Sequence, residues 1–493
     1  MDNKKIKIVS IISIIALALT LVAATYAYFV AQTGEGAQTD IKINANTVDT
    51  FTFEVGSALK LSLNQENFAS GKGNQTGTTF AKAMLTANNK TNTVTEHYYL
   101  YLNISNNTFT YSIDNNTPEI LLSIKDGSNN EITSVSGLTY KTVTDGKGTT
   151  LKGFDITTKK GLVTILNNRE ITTTSTKTEQ WNVTVTFVNY NANQAGNAGK
   201  NFSAKLMIQK EKIPTVLSDV CTSGNNLASC ITTLSNKSEP SIVNIYHHTS
   251  LLANGAGDNS YRYAGASDSV NNYICLGSDA TTCPDANLFR IIGVFGGQTK
   301  VIRAKSVGNK QWHTSADNTW SSSSLNTYLN GEYLTSLGTL ADKIATTTWK
   351  VGGGTYANIS DVVPATAYQY EVGSSASTTT YDAKIGLMYV TDYYYSASPS
   401  AWTLVGYNES DATKDYRAAK STNWLYLGST EWTISRRSDI SDNSNLAFVV
   451  VFAGLVNHFN VSNYLVVRPS FNLESSVKYV SGSGSMSDPV RVN

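Results

Sequence analysis

Four cysteines are the residues with the most defined chemistry in this chain, and they fall into two close pairs. One pair is Cys221 and Cys230, and the other is Cys275 and Cys283. Zinc ligands are usually separated by about two to four residues, and the partners in both pairs are further apart than that. We therefore predict two local disulfides, Cys221–Cys230 and Cys275–Cys283, and no metal site. Four cysteines allow about three pairings, so other connectivities and free thiols stay open.

Motifs for catalysis are absent from the sequence. A zinc protease would carry His-Glu-x-x-His on one helix face, whereas the adjacent His247 and His248 would point to opposite faces of a strand. No phosphate-binding loop or nucleophile motif occurs either. We therefore expect no enzymatic activity and no cofactor, although a triad assembled from distant residues would leave no sequence pattern.

The composition bounds the class of protein. Charged residues make up 15% of the 493-residue chain, well below the roughly 25% of ordinary soluble domains, and the formal net charge is +1. Without clustered lysine and arginine beyond the N-terminus, the chain lacks the phosphate-neutralising surface of a nucleic-acid-binding protein. The chain is longer than a domain with a single hydrophobic core usually is. Its many Thr, Tyr, Val and Ile residues favour β-strands. We predict two or three β-rich domains and no nucleic-acid partner.

The N-terminus indicates the cellular compartment. Lys4, Lys5 and Lys7 precede an apolar run over residues 8–34 that carries no charged side chain. Such a run is long enough to cross a bilayer, and it also has the form of a signal peptide. We interpret residues 1–30 as a signal peptide or a membrane anchor and leave cleavage open. Because the lysines stay in the cytoplasm, the rest of the chain would be extracellular, at the cell surface.

The module over residues 35–212 consists of short strand-like runs separated by Gly, Asn and Asp clusters. In the run 181–188, Trp181, Val183 and Val185 alternate with polar residues, which is the period of a strand with one buried face. Regular short strands with turn signals are typical of a β-sandwich or barrel. We predict an all-β sandwich for this module.

The segment 25–29, Thr-Tyr-Ala-Tyr-Phe, is similar to the export segment of the camelysin and TasA family of biofilm matrix proteins. The resemblance extends over about residues 20–210 and implies a jelly-roll β-sandwich. Proteins of that family assemble into fibres, so the resemblance also implies self-assembly, through pairing of an exposed or donated strand. The single histidine of the module, His97, gives no support to a metalloprotease activity.

Residues 213–245 are predicted to be a disulfide-clipped junction. Leu227, Ile231 and Leu234 have helical spacing, so we expect a short helix followed by a linker. The second module, 246–493, combines strand-like runs with a predicted amphipathic helix over 324–337. Because strand and helix do not alternate in βαβ order, we predict an α+β domain.

Two separated motifs mark the C-terminal module: Trp-Thr-Ile-Ser-Arg from residue 432 and Val-Arg-Pro-Ser-Phe from residue 467. They resemble the frame of a domain in surface proteins of gut Firmicutes, related to the formylglycine-generating-enzyme version of the C-type-lectin fold. The resemblance covers about residues 240–493 and implies that Trp432, Arg468 and Pro469 are structural frame residues. Because no cysteine follows Cys283, the oxidase chemistry of those enzymes is not expected.

In the related fold, exposed and variable side chains precede the C-terminal frame, which corresponds to residues 444–464 here. The resemblance therefore implies ligand contacts from aromatic and histidine side chains in this stretch. The candidates are Phe448, Phe452, His458, Phe459 and Tyr464. The alternative for the apolar run 447–452 is a buried core strand.

These patterns together predict a surface protein of a Gram-positive bacterium. Its non-catalytic, lectin-like head would bind a surface protein or glycan, as an adhesin does. The alternative is an extracellular biofilm-matrix or fibre subunit built by the first module. The predicted architecture is multi-domain: an N-terminal membrane or signal helix, an all-β jelly-roll-like sandwich, and an α+β C-type-lectin-like domain.

Overall fold

A computed structural model describes residues 49–63, 72–88, 92–249, 255–405, 422–439 and 445–493. The chain divides into two compact units, Met1–Lys212 and Ile213–Asn493. The predicted signal peptide or anchor over residues 1–30 lies outside the described residues. Across the described ranges, none of the helices combines the length and the apolar character that a membrane crossing requires.

The described part of the first unit is built of antiparallel strands in two sheets. A six-stranded sheet has the order β1-β3-β9-β5-β7-β6, and a four-stranded sheet has the order β2-β10-β4-β8. The strands are β1 (Thr50–Val55), β2 (Leu59–Ser62), β3 (Gln75–Thr86), β4 (Val94–Asn107), β5 (Ile120–Asp126), β6 (Tyr140–Thr144), β7 (Thr150–Asp155), β8 (Gly161–Thr173), β9 (Thr176–Phe187) and β10 (Asn201–Gln209).

The core of the first unit lies between these two sheets. In β9, Trp181, Val183 and Val185 are buried in one cluster with side chains of the four-stranded sheet, among them Leu100 and Leu102 of β4. The alternation in the sequence predicts this buried face, because successive strand side chains point to opposite sides. The first unit is therefore a β-sandwich-like arrangement, as expected for an all-β module.

The second unit contains three further sheets and short helices. One sheet has the order β11-β12-β14-β13-β25-β24, with β15 joining β14 to β23. Another has the order β16-β22-β19-β20-β21, and β17 and β18 form a two-stranded antiparallel sheet. The strands are β11 (Ile245–His248), β12 (Ser260–Tyr263), β13 (Tyr273–Cys275), β14 (Leu288–Phe295), β15 (Gln298–Arg303), β16 (Asn309–Lys310), β17 (Thr347–Lys350), β18 (Thr380–Ala383), β19 (Glu431–Arg436), β20 (Leu446–Val450), β21 (Val456–Asn460), β22 (Leu465–Val466), β23 (Ser470–Asn472), β24 (Tyr479–Ser481) and β25 (Val490–Val492).

The α-helices of the second unit are short; two precede β11, and the others lie between later strands. They are α1 (Leu227–Lys237), α2 (Pro240–Val243), α3 (Ser324–Tyr328), α4 (Leu334–Ser336), α5 (Tyr356–Ile359), α6 (Pro364–Glu371) and α7 (Val390–Tyr395). The helix predicted over 324–337 forms as α3 and α4 joined by a π-helical turn at Leu329–Tyr333. In that turn, the side chain of Asn330 donates to the carbonyl of Ile385 at 2.8 Å and accepts from its N–H at 3.0 Å. The helical segment is thus tied to the strand-rich core.

The segment 213–245 differs from the predicted junction. Helix α1 and the disulfide that clips it form at the predicted places, but the segment is part of the second unit and not a linker, because Leu227 and Ile231 are buried in the core of that unit. The N–H of Leu227 donates to the carbonyl of Val477 at 3.1 Å, which joins the start of the helix to the far end of the unit. The amphipathic spacing that predicts the helix also supplies the apolar face that makes it part of the core.

Both predicted disulfides are present. Cys221 and Cys230 have their Cα atoms 5.7 Å apart, and Cys275 and Cys283 have theirs 5.8 Å apart. The first bond joins the start of the second unit to α1, and the second closes the loop between β13 and β14. Structural disulfides are typical of proteins in oxidising compartments such as the cell exterior.

Candidate functional site

The apolar run 447–452 is a core strand for most of its length. The side chain of Phe448 in β20 is fully buried in the core of the second unit, so it does not belong to a ligand face. This corrects the prediction for Phe448 in favour of the core-strand alternative. Phe452, which follows the strand, is 69% exposed and thus marks where the run leaves the core.

The other predicted contacts have mixed surroundings. Tyr464 is 67% exposed, whereas His458 on β21 and Phe459 beside it are half-buried. The Nε2 atom of His458 lies 2.9 Å from Nη1 of Arg437. Burial lowers the pKa of His458, and the Arg437 charge lowers it further, so the imidazole is neutral and accepts from the guanidinium. Of the five predicted contacts, Phe452 and Tyr464 are the ones with exposed rings.

The predicted frame residues are buried. The indole N–H of Trp432 donates to the carbonyl of Lys310 at 3.0 Å. Arg468 donates to both carboxylate oxygens of Glu431 at 2.7 Å, an ion pair that is almost fully removed from solvent. Pro469 is buried, and its carbonyl accepts from the N–H of Arg303 at 3.0 Å. These contacts connect separate strands of the second unit.

A cavity of about 180 Å³ in the second unit brings charged and aromatic side chains together. None of its residues is among those predicted from the sequence. Its charged, ring and amide positions are Asp258, Arg262, Phe295, Lys300, Trp349, Lys350, Tyr368, Tyr389, Asp392 and Asn472. They lie on or beside β12, β14, β15, β17, α6, α7 and β23.

Two ion pairs form the charged floor of this cavity. A guanidinium nitrogen of Arg262 lies 2.6 Å from a carboxylate oxygen of Asp258, and Lys300 Nζ lies 2.5 Å from Oδ2 of Asp392. A second guanidinium nitrogen of Arg262 lies 3.8 Å from Asp392 Oδ1 and couples the two pairs. Two cations thus face two carboxylates, and the floor carries no formal excess of charge.

Burial and neighbouring charges act in opposite directions on the floor residues. Burial by itself would raise the pKa of Asp258, but the guanidinium of Arg262 and hydrogen bonds from Ser260 bring it down to about 2. The Asp258 carboxylate therefore stays ionised near neutral pH, and it accepts hydrogen bonds from Ser260 and Arg262. Burial lowers the pKa of Lys300, and the Asp392 carboxylate opposes that change.

Aromatic rings line the walls around both cations. The guanidinium carbon of Arg262 lies 4.6 Å from the ring centre of Phe295 and 5.5 Å from that of Tyr368. Lys300 Nζ lies 4.6 Å from the ring centre of Tyr389. Such contacts fix the orientation of the cations through cation–π attraction. Phe295, Tyr368 and Tyr389 are half-buried, so each keeps some surface towards solvent.

The first turn of α7 is held by buried carboxylates. Glu371 at the end of α6 accepts from the N–H groups of Val390 and Thr391 at 2.8 and 2.9 Å. The Asp392 carboxylate accepts from the backbone N–H of Tyr389 at 2.8 Å. Backbone N–H groups at the start of a helix have no carbonyl partner within the helix, so this hydrogen bond caps α7. The same carboxylate therefore caps α7 and pairs with Lys300.

One polar atom at the cavity has no partner. The side-chain nitrogen of Asn472 donates to the hydroxyl of Thr347 at 3.0 Å, and Asn472 is buried. Within the described part of the chain, no donor reaches its Oδ1 atom. A buried carbonyl without a partner costs free energy, and a donor group on a ligand would supply what is missing.

No protein-family model matches the chain, and comparison with curated proteins finds no similar sequence.

Proposed function

We propose that this chain is an extracellular, cell-surface recognition protein of the adhesin type, whose second unit binds a glycan. The observation that carries the proposal is the cavity, in which an ionised carboxylate and three half-buried rings face the same small volume. The two disulfides support an extracellular location. Residues 1–30 would supply the export signal or the tether.

The chemistry of the cavity favours a sugar ring over other small ligands. Carboxylate oxygens accept hydrogen bonds from sugar hydroxyls, and aromatic faces contact the apolar C–H faces of the ring. Asp258 is oriented for the first role by Arg262, and Phe295, Tyr368 and Tyr389 supply rings for the second. Arg262 and Lys300 each have a carboxylate partner, so an uncharged ligand suits the floor better than an anion, while Lys350 adds one positive charge elsewhere in the lining.

The size of the cavity limits the ligand. Sites for drug-sized molecules usually measure about 300–1,000 Å³, whereas this cavity measures about 180 Å³. We infer that it accepts one terminal monosaccharide of a glycan, while the rest of the chain of sugars extends into solvent.

The finer fold assignment is part of the same proposal. The mixed strands and short helices of the second unit, together with buried Trp432, Arg468 and Pro469, support a C-type-lectin-like head. The two sheets of the first unit support a jelly-roll-like sandwich of the camelysin and TasA kind. On this proposal the head is non-catalytic.

A glycan array probed with the purified full-length protein tests the proposal. We expect binding to glycans that share one terminal sugar, and we expect Asp258→Asn to weaken it by about tenfold or more, since hydrogen bonds to a charged group contribute about 1.5–3 kcal/mol. Asp268→Asn, which changes an exposed carboxylate away from the cavity, is the matched control. No glycan binding, or equal losses in both variants, would refute the proposal.

A fibre-forming function is the second candidate, and the edge strands of the first unit favour it. Among the described strands, β6 pairs with β7 alone and ends the six-stranded sheet. An edge strand can pair with a second copy through its free backbone groups. Reversible sedimentation of the full-length protein into fibres would support this function, and a monomer at all concentrations would contradict it.

A further inference from the structure

We propose that Lys300 and Asp392 condense into an intramolecular amide, which links β15 covalently to the first turn of α7. This inference concerns a modification of the chain itself and does not depend on ligand binding. The bond would join Nζ of the lysine to Cγ of the aspartate. It would make the floor of the cavity a permanent cross-link.

The pair has the geometry that such a bond requires. Lys300 Nζ and Asp392 Oδ2 are 2.5 Å apart, and their side chains are 6% and 2% exposed. Lys305 and Asp285 are equally close at 2.5 Å, but their side chains are 59% and 64% exposed. Distance is therefore not what sets Lys300 and Asp392 apart. They are distinguished by the small exposed fraction of both side chains, which limits their solvation by water.

Burial of the pair favours the neutral, nucleophilic form of the amine. The side chains of Lys300 and Asp392 are 6% and 2% exposed, and burial lowers the pKa of Lys300 while the Asp392 carboxylate opposes that change. Burying two ions is costly, whereas a neutral amine that is hydrogen-bonded to a neutral carboxylic acid costs less. Proton transfer within the pair, from Nζ to Oδ2, gives these two neutral groups without any outside acid or base.

The neighbouring groups keep the charges balanced during the reaction and hold the carboxyl group in position. Arg262 has Asp258 at 2.6 Å as its own counter-ion, so loss of the charge on Asp392 leaves no unpaired cation. Arg262 also lies 3.8 Å from Asp392 Oδ1, the oxygen that would carry negative charge in the tetrahedral intermediate. The N–H of Tyr389, at 2.8 Å from Oδ2, holds the carboxyl group in place. Because the fold already holds the two groups in place, the reaction avoids the entropy loss of bringing two separate reactants together.

The atoms balance without a further reactant. The neutral amine of Lys300 attacks Cγ of the protonated Asp392 carboxyl, and the Nζ–Cγ bond forms. The Cγ–Oδ2 bond then breaks, and Oδ2 leaves with its own proton and one proton from Nζ as water. The product is one secondary amide and one water molecule, with no change in oxidation state.

Peptide mapping of the wild-type, full-length protein tests the proposal directly. Trypsin does not cleave after an acylated lysine, so the amide would connect the peptide 291–303 to the peptide 385–414. The expected result is a linked species whose mass equals the sum of these two peptides minus one water molecule. Recovery of the two peptides unlinked, with cleavage after Lys300, would overturn the proposal.

The variant Lys300→Arg is the control for the identity of the bond. Its guanidinium keeps the charge opposite Asp392 but does not form this amide. We expect the linked species to be absent from the digest of the variant while the remaining peptides are unchanged. A species of the same linked composition in the variant would show that another lysine had reacted and would contradict the assignment.

Discussion

The buried ion pair between Arg468 and Glu431 gives a prediction whose size follows from the structure. Both side chains are almost fully buried, at 3% and 2% exposed, and two hydrogen bonds of 2.7 Å join them. The variant Arg468→Met would leave the Glu431 carboxylate buried without its partner. It would also remove the donor that the carbonyl of Leu425 accepts at 2.7 Å.

Removing one member of a buried pair usually costs about 3–5 kcal/mol, because the remaining charge has no compensation. We expect a loss in this range in the free energy of unfolding of the second unit. Replacing both members by apolar residues is usually neutral or stabilising, by about 1–4 kcal/mol relative to the pair. The double variant Arg468→Met with Glu431→Met should therefore recover at least half of the loss.

Urea unfolding followed by tryptophan fluorescence is a suitable assay. All of the 7 tryptophans except Trp181 belong to the second unit, so the signal reports mainly on that unit. A single variant within about 0.5 kcal/mol of wild type would refute the reasoning, since that is the size of an ordinary surface substitution. A double variant as unstable as the single one would show that packing, and not the unpaired charge, causes the loss.

The same pair predicts a dependence on pH. Burial raises the pKa of Glu431 above its ordinary value, and Arg468 opposes that rise. With Arg468 replaced, the folded protein binds a proton more readily than the unfolded chain. Its stability should therefore fall as the pH rises from the ordinary glutamate pKa of about 4.3 through the raised folded value. The difference between Arg468→Met and wild type should be smaller at acidic pH than at neutral pH; a constant difference would contradict this assignment.

Three further predictions concern substitutions in the second unit. Gly293→Ala should destabilise the second unit by about 2 kcal/mol or more in urea unfolding, because an added Cβ would lie 2.2 Å from a backbone oxygen of β12. Gly331→Ala is the control and should be neutral or stabilising, because its added Cβ would have no neighbouring atom within 4 Å. Lys300→Arg should lower the unfolding free energy by about 4–5 kcal/mol if the amide closes its loop of 92 residues, and a loss below about 1 kcal/mol would argue against it. Replacing Cys221 and Cys230 by Ala opens a loop with a sequence separation of 9, which should cost about 2–3 kcal/mol, and equal melting temperatures would contradict that.

Local patterns in the sequence predict much of the fold. The alternation around Trp181 and Val183 predicts a strand with one buried face, and both side chains are buried in the sandwich core. The close cysteine spacing predicts the two disulfides that form. The strand prediction depends on residues two positions apart, where backbone geometry decides which side chains share a face. The disulfide prediction depends on partners with sequence separations of 9 and 8.

The cavity could not be predicted because its parts come from distant segments. Asp258 and Arg262 share one strand region, but Lys300 and Asp392 are separated by 92 residues and meet only when the sheets form. Charged residues that end up paired and buried have no spacing that distinguishes them from exposed ones. The signal that was available is weak: Lys300 directly precedes the apolar residues Val301 and Ile302 in a strand-like run.

The linker predicted after helix α1 is instead part of the second unit, and this difference also comes from tertiary contacts. Ser, Asn and Pro after Leu234 are typical of a linker, yet the short helix α2 and strand β11 follow within the same segment. Their apolar residues Val243 and Ile245 are buried in the core of the second unit. Tertiary burial of an apolar pair therefore outweighs a local composition that favours a loop.

A crystal structure of the protein soaked with its best array glycan tests the central claim most directly. We predict the terminal sugar ring in the cavity, with a hydroxyl donating to Asp258 and one ring face against Tyr368 or Tyr389. A glycan bound instead at the exposed rings of Phe452 and Tyr464, or an empty cavity at saturating glycan, would contradict the account.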